Sequence, residues 1–124
     1  MKKILLPLAV FALLIACNSG DSKEKGETDS NDITKNSDYQ KGLDLISKSD
    51  CFTCHKIDEQ LTGPPYREVA NKYGNMPDTI ITHLAKKIRE GGAGNWGQIF
   101  MVPHPSISED DAKAMVKYIL LLKK

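Results

Sequence analysis

Cysteine is scarce in this 124-residue chain, with three in all. That number excludes a disulfide framework and leaves too few thiolates for a four-cysteine zinc site. Histidine is equally sparse, and His83 and His104 stand at no finger-like spacing from a cysteine pair. No apolar run reaches the roughly 20 residues of a bilayer span. No stretch alternates in the manner of a strand, and no internal repeat is visible. Gly91-Gly92-Ala93-Gly94 follows a helical pattern and opens no strand-turn-helix unit, which removes a phosphate loop. Excess charge of one sign is also missing: 17 basic residues face 16 acidic ones. Over residues 39–124 the balance is 12 to 10, too even for a nucleic-acid binder.

What is present begins at the front. Lys2 and Lys3 precede an apolar stretch from Ile4 to Ile15, which has the length of a signal peptide. It closes on Leu14-Ile15-Ala16-Cys17, a segment that resembles the lipobox of bacterial lipoproteins. The resemblance implies cleavage before Cys17 and lipidation of its thiol, giving an exported protein tethered to a membrane without spanning it. From Asn18 to about Asp38 the composition turns polar, with Ile33 the one large apolar residue. Six acidic residues against three lysines leave it at −3. Such a segment cannot bury enough apolar surface to offset its chain entropy, and reads as a flexible linker. Its r.m.s. span would be roughly 25 Å.

The folded part is then expected over 39–124. A chain of this size makes a marginal core and commonly leans on a cofactor or metal. Periodicity gives four helices. The first, near Asp38 to Ser49, aligns Tyr39, Leu43 and Ile46, with Gly42 beside them. The second starts near Pro65 and aligns Tyr66, Val69, Ala70 and Tyr73. The third follows Pro77, with Asp78 as cap and Ile80, Ile81, Leu84, Ala85 and Ile88 on its apolar face; Gly91-Gly92 ends it. The last opens on Ser108-x-x-Asp111, a capping signature, and repeats apolar residues at Ala112, Met115, Val116, Ile119 and Leu120. The fold class is all-α.

The chemistry lies in Cys51-Phe52-Thr53-Cys54-His55. A C-x-x-C-H run reads as a c-type haem attachment site: each thiol adds to one vinyl group and the adjoining imidazole ligates the iron. A dithiol redox motif and half of a zinc site are the competing readings, but no βαβ surround and no second ligand pair accompany the run. The cysteine count agrees, with one thiol for lipid and two for haem.

A six-coordinate electron carrier needs a second axial ligand. Met76, His83, Met101, His104 and Met115 are the candidates downstream. Met115 sits on the apolar stripe of the last helix, His83 on the polar side of the third, and Met76 too few residues after His55 to cross a ring. Met101 lies in the apolar loop Gly97–Pro105, whose prolines hold an extended path, and it is the choice, ahead of His104.

With these pieces in place the chain resembles a small monohaem class I cytochrome c of the short bacterial type. Cys51–His55, Gly63-Pro64-Pro65-Tyr66, Gly91–Gly97, Met101 and Val116–Leu120 carry the resemblance across residues 39–124. It implies the class I fold, about four helices around one covalent haem. It also implies that the Pro64 carbonyl holds the proximal imidazole, that the Trp96 indole N–H meets a haem propionate, and that Gly42 admits Tyr118 where the first and last helices cross. Phe100 and Val102 depart from the prolines this type often places around the methionine, so a somewhat more flexible loop is expected.

Iron held by His55 and Met101 has no vacancy for oxygen or peroxide, and methionine favours the ferrous state. The expected function is a membrane-tethered, monomeric single-electron carrier that docks transiently with redox proteins. Lys48 and Lys56, near the motif, are candidates for steering an acidic partner. The alternative is a haem peroxidase with a displaceable distal ligand.

Overall fold

A computed structural model of the chain describes residues 32–124. The leader, Cys17 and most of the linker lie outside the described residues. Four helices form the domain: α1 (Ser37–Ser47), α2 (Tyr66–Tyr73), α3 (Thr79–Glu90) and α4 (Glu109–Leu121). A 3-10 turn at Ile33–Lys35 precedes α1, and a second at Asp50–Thr53 follows it. No helix among the described residues is long and apolar enough to cross a membrane.

The helix starts follow local chemistry. The Asn36 side chain accepts from the backbone N–H groups of Asp38 and Tyr39 and so caps α1. Ordered structure thus begins before Tyr39, but the turn at Ile33–Lys35 buries none of its residues. The Ser108 hydroxyl accepts from the Asp111 N–H at 3.1 Å and opens α4 as its sequence signature requires. Asp78 occupies the cap position of α3 but makes no side-chain cap bond. Its backbone is already helical, and the first-turn N–H groups of Ile80 and Ile81 go to the carbonyls of Pro77 and Asp78. Gly91, at φ +70°, ends α3 in a conformation that favours glycine.

Helix α4 is the axis of the domain: α1, α2 and α3 all pack on it, α1 most extensively. Its buried residues are Ala112, Ala114, Met115, Val116, Tyr118 and Ile119. Ile46 from α1 and Tyr66 and Ala70 from α2 join Met115, Tyr118 and Ile119 in the main cluster, and Ala85 of α3 packs with Ala112 and Val116. The crossing of α1 with α4 is close because Gly42 has no side chain. A Cβ there would collide with Tyr118 Cβ and with the Ala114 carbonyl. The Tyr39 and Tyr118 rings meet edge to face, with centroids 4.9 Å apart. Arg67 fastens the end of the chain, its guanidinium donating to the Asp58 carboxylate and, at 2.5 Å, to the Leu122 carbonyl.

The segment after α3 departs from the expected irregular loop. β1 (Gly92–Gly94) and β2 (Gly97–Met101) form an antiparallel pair, with Gly92 opposite Met101 and Gly94 opposite Gly97. Gly92, Gly94 and Gly97 all have φ above +100°, which lets the chain reverse at Asn95-Trp96. Residues Gly97 to Phe100 are all exposed, so burial imposes no alternation on the sequence. The fold remains all-α with this one hairpin.

Gly42→Ala should destabilise the domain by about 2 kcal/mol or more, because the obstructing atoms belong to backbone and Cβ positions that cannot swing aside. Denaturant midpoints of the two haem-bearing proteins check this.

Candidate functional site

The C-x-x-C-H run wraps the short 3-10 turn after α1. The N–H groups of Cys54 and His55 both donate to the Cys51 carbonyl, at 3.2 and 3.0 Å. This winding places Cys51, Cys54 and His55 at one wall of a single cavity, all half-buried. The following loop returns to the turn: the Gly63 N–H donates to the Cys54 carbonyl at 2.7 Å. Gly63 therefore lies against the imidazole, and a Cβ at that position would strike the His55 ring.

The next residue fixes the ring. His55 Nδ1 lies 2.8 Å from the Pro64 carbonyl oxygen. A carbonyl can only accept, so Nδ1 carries the proton and Nε2 keeps its lone pair for a ligand. Tyr66, buried at the head of α2, stacks on the same imidazole with centroids 5.1 Å apart and planes at 16°. The histidine is held by a carbonyl, a bare glycine and an aromatic face.

The cavity measures about 320 Å³. Ile46, Met115, Val116 and Ile119 line it from α1 and α4, and Leu84 and Ile88 from α3. The hairpin and the strand's exit add Trp96, Ile99, Phe100, Met101 and Val102. Met101 is half-buried there. The other sulfur and imidazole candidates fall elsewhere or are engaged. Met76 is 48% exposed and lies outside the lining. Met115 is buried in the core as its helical position requires, and His83 is exposed at the rim. His104 Nε2 is 3.0 Å from Asp50 Oδ1.

Trp96 stands 40% exposed at the cavity edge. Tyr73 meets it edge-on at 6.5 Å, and the Lys72 ammonium lies 4.5 Å over the indole while donating to the Asn95 carbonyl at 3.2 Å. A cation therefore lies over the indole that lines this rim, a setting suited to a carboxylate.

Burial first, and the neighbouring Asp50 carboxylate second, push the pKa of the Cys51 thiol up, which runs against the easily formed thiolate of a reactive dithiol. Among the described residues no three His, Cys, Asp or Glu side chains converge to hold a metal ion. The donor set instead fits a porphyrin: two thiols and an oriented imidazole on one wall, a thioether on the exit of β2, and an apolar lining of ligand-site size.

Comparison with known proteins agrees. The family model for cytochrome c matches residues 39–123. Cytochrome c-552 of Nitrosomonas europaea is 42% identical over 84 residues, 68% of this chain and 81% of that protein. Cytochrome c-551 of Azotobacter vinelandii is 44% identical over 82 residues, 66% of this chain and 98% of that protein. The crystal structure of wild-type Nitrosomonas europaea cytochrome c552 superposes with a TM-score of 0.61, covering 65% of this chain and 99% of the other. The chain belongs to the cytochrome c family. It is a small class I member that carries one covalent haem c and transfers electrons, and it is not an enzyme. The peroxidase alternative finds no support among these relatives.

The residue pattern assigns no site role to Asp50, Gly63, Tyr66 or Lys72. Gly63 and Tyr66 flank Pro64-Pro65, and Asp50 directly precedes Cys51, so adjacency is the signal for these three. Lys72 reaches the site only through the fold.

Without its haem this largely apolar cavity would stand open to water, in a domain whose size leaves little stability to spare. A haem-free Cys51→Ala/Cys54→Ala protein should therefore show no cooperative thermal melt, by circular dichroism or calorimetry.

Proposed function

We propose that Cys51 and Cys54 are the thioether positions, that His55 Nε2 and the Met101 sulfur are the axial ligands, and that the protein works as a lipid-anchored electron shuttle. The observation that carries this reading is the His55 Nδ1–Pro64 contact of 2.8 Å, which turns the second imidazole nitrogen free within a cavity that Met101 also lines. The bound haem supplies one-electron exchange between ferric and ferrous iron. The chain's own residues do the rest. Pro64 makes His55 a stronger donor by taking its Nδ1 proton into a hydrogen bond, Met101 fills the remaining position with a soft donor that favours the ferrous state, and the apolar walls exclude water. Trp96 and Lys72 hold the propionate end.

Export, the signal peptide of residues 1–17, lipidation at Cys17 and the linker of residues 18–38 complete the proposal. The haem domain then meets redox partners, such as a dehydrogenase or quinol-oxidising complex on one side and a terminal oxidase or reductase on the other, while staying at a membrane facing the periplasm or cell exterior. It acts as a monomer and docks briefly.

Lys48 and Lys56 are poor candidates for steering. Each is occupied by its own chain, Lys48 by Asp44 at 2.7 Å and Lys56 by Glu59 at 2.8 Å. Among these paired charges the turn also exposes two apolar side chains, Phe52 at 37% and Leu61 at 39%. Docking at the attachment turn therefore rests on these side chains more than on net charge.

Reduced-minus-oxidised spectroscopy on wild type and Met101→Ala tests the ligand set. The variant should keep its covalent haem, lose the sulfur-to-iron charge-transfer band, fall in potential, and bind carbon monoxide rapidly when ferrous. A Met101→Ala protein that retains the band assigns the ligand elsewhere. Cys17→Ser should release the protein from the membrane fraction. Electron-transfer rates with its partner should change by less than about threefold between low and moderate salt, where a charge-steered pair changes tenfold or more.

A further inference from the structure

We propose that His104 and Asp50 form a positioning clasp that holds the Met101 arm to the haem-attachment turn and sets how slowly the sulfur leaves the iron. The proposal rests on the reading of Met101 as the second axial ligand.

The two partners sit at telling places in the chain. Asp50 directly precedes Cys51, and His104 follows Met101 across Val102-Pro103. Their contact, His104 Nε2 to Asp50 Oδ1 at 3.0 Å, joins the turn that carries the thiols to the segment that carries the thioether. Among the described residues it is the hydrogen bond that makes this connection. The arm's other fastenings lead to the end of α3 and to β1 directly after it, where Met101 pairs with Gly92. The His104 N–H donates to the Ile88 carbonyl at 3.1 Å, and the arm passes so close to Gly91 that a Cβ there would meet Pro103 N at 2.9 Å and Val102 C at 3.1 Å.

Among the described residues the imidazole has no second hold: its Nδ1 is buried and meets no hydrogen-bond partner from the protein. One nitrogen without a partner is a cost the ring already bears; losing Asp50 would leave both so. The side chain is 19% exposed and Asp50 is 70% exposed, so the carboxylate reaches in from solvent to fix a mostly enclosed ring. Removing Asp50 disturbs no core packing. With the clasp made, the arm is fastened on two sides of the cavity; without it, the arm is held only from the side of α3 and the hairpin, and the sulfur can swing out.

The test uses the complete haem-bearing protein in the ferric state. The rate at which added imidazole displaces Met101 is followed by loss of the sulfur-to-iron charge-transfer band. Asp50→Ala and His104→Ala should each raise that rate roughly fivefold, the size expected for a half-exposed hydrogen bond to a charged group. The double variant should be no faster than either single one, because one interaction is being removed. Asp50→Asn, whose amide oxygen still accepts from Nε2–H, should recover most of the difference. Unchanged rates in both single variants overturn the proposal, as does a double variant whose acceleration is the product of the two. An equal fall in global denaturant stability would also overturn it, by marking the effect as general loosening. A wild-type protein without the charge-transfer band, or a Met101→Ala protein that keeps it, instead overturns the ligand assignment beneath the clasp.

Discussion

A cavity of about 320 Å³ lies where α1, α3 and α4 would otherwise close on one another, and the surrounding packing is arranged to keep it open on one chemistry. Four helices of 8 to 13 residues are short for a self-sufficient core. Their buried side chains fall into two clusters on either flank of α4 rather than one continuous mass. A planar apolar group filling the gap meets both clusters, Ile46, Met115 and Ile119 of one and Val116 of the other, and gives these already buried side chains a packing partner on the cavity side. Covalent attachment suits such a design. A domain this small cannot enclose its cofactor fully, and thioether bonds keep it in place where burial alone would not.

Much of this was legible in the residues because it is local. C-x-x-C-H names its own chemistry at five consecutive positions. Ser108-x-x-Asp111 opens α4 within one turn of where the pattern places it, and most of the i, i+3, i+4 apolar residues of the four helices meet the core, Ile80 of α3 lying outside both clusters. The misses are non-local or conformational. The hairpin after α3 has no alternating burial to betray it, since its strand residues are exposed and its reversal depends on glycines in positive-φ conformations. Asp78 has the right identity for a cap, but the Pro77 and Asp78 carbonyls satisfy the first N–H groups instead. Asp50 and His104 stand 54 positions apart and meet only after the chain has circled the cavity.

The same circling makes the oriented histidine robust. His55 is positioned from three directions by residues that all follow it closely: Gly63 by absence of a side chain, Pro64 by its carbonyl and Tyr66 by its ring. None of these needs the distal arm. The proximal side is thus a self-contained unit within about a dozen residues, whereas the methionine side depends on α3, the hairpin and the turn across from it. Disturbance at a distance should reach the sulfur before it reaches the imidazole.

The entry of the chain into the domain has a geometric consequence. Asn36 caps α1, and two residues later Asp38 pairs with Lys117 on α4 at 3.2 Å. Lys117 is exposed, whereas its neighbours Met115, Val116 and Ile119 look into the cavity. The polypeptide therefore arrives on the rear of α4, behind the redox face. In the proposed lipid-anchored form, a leash joined there pulls on the back of the domain and leaves its working side unshadowed, free to face a donor and an acceptor in turn.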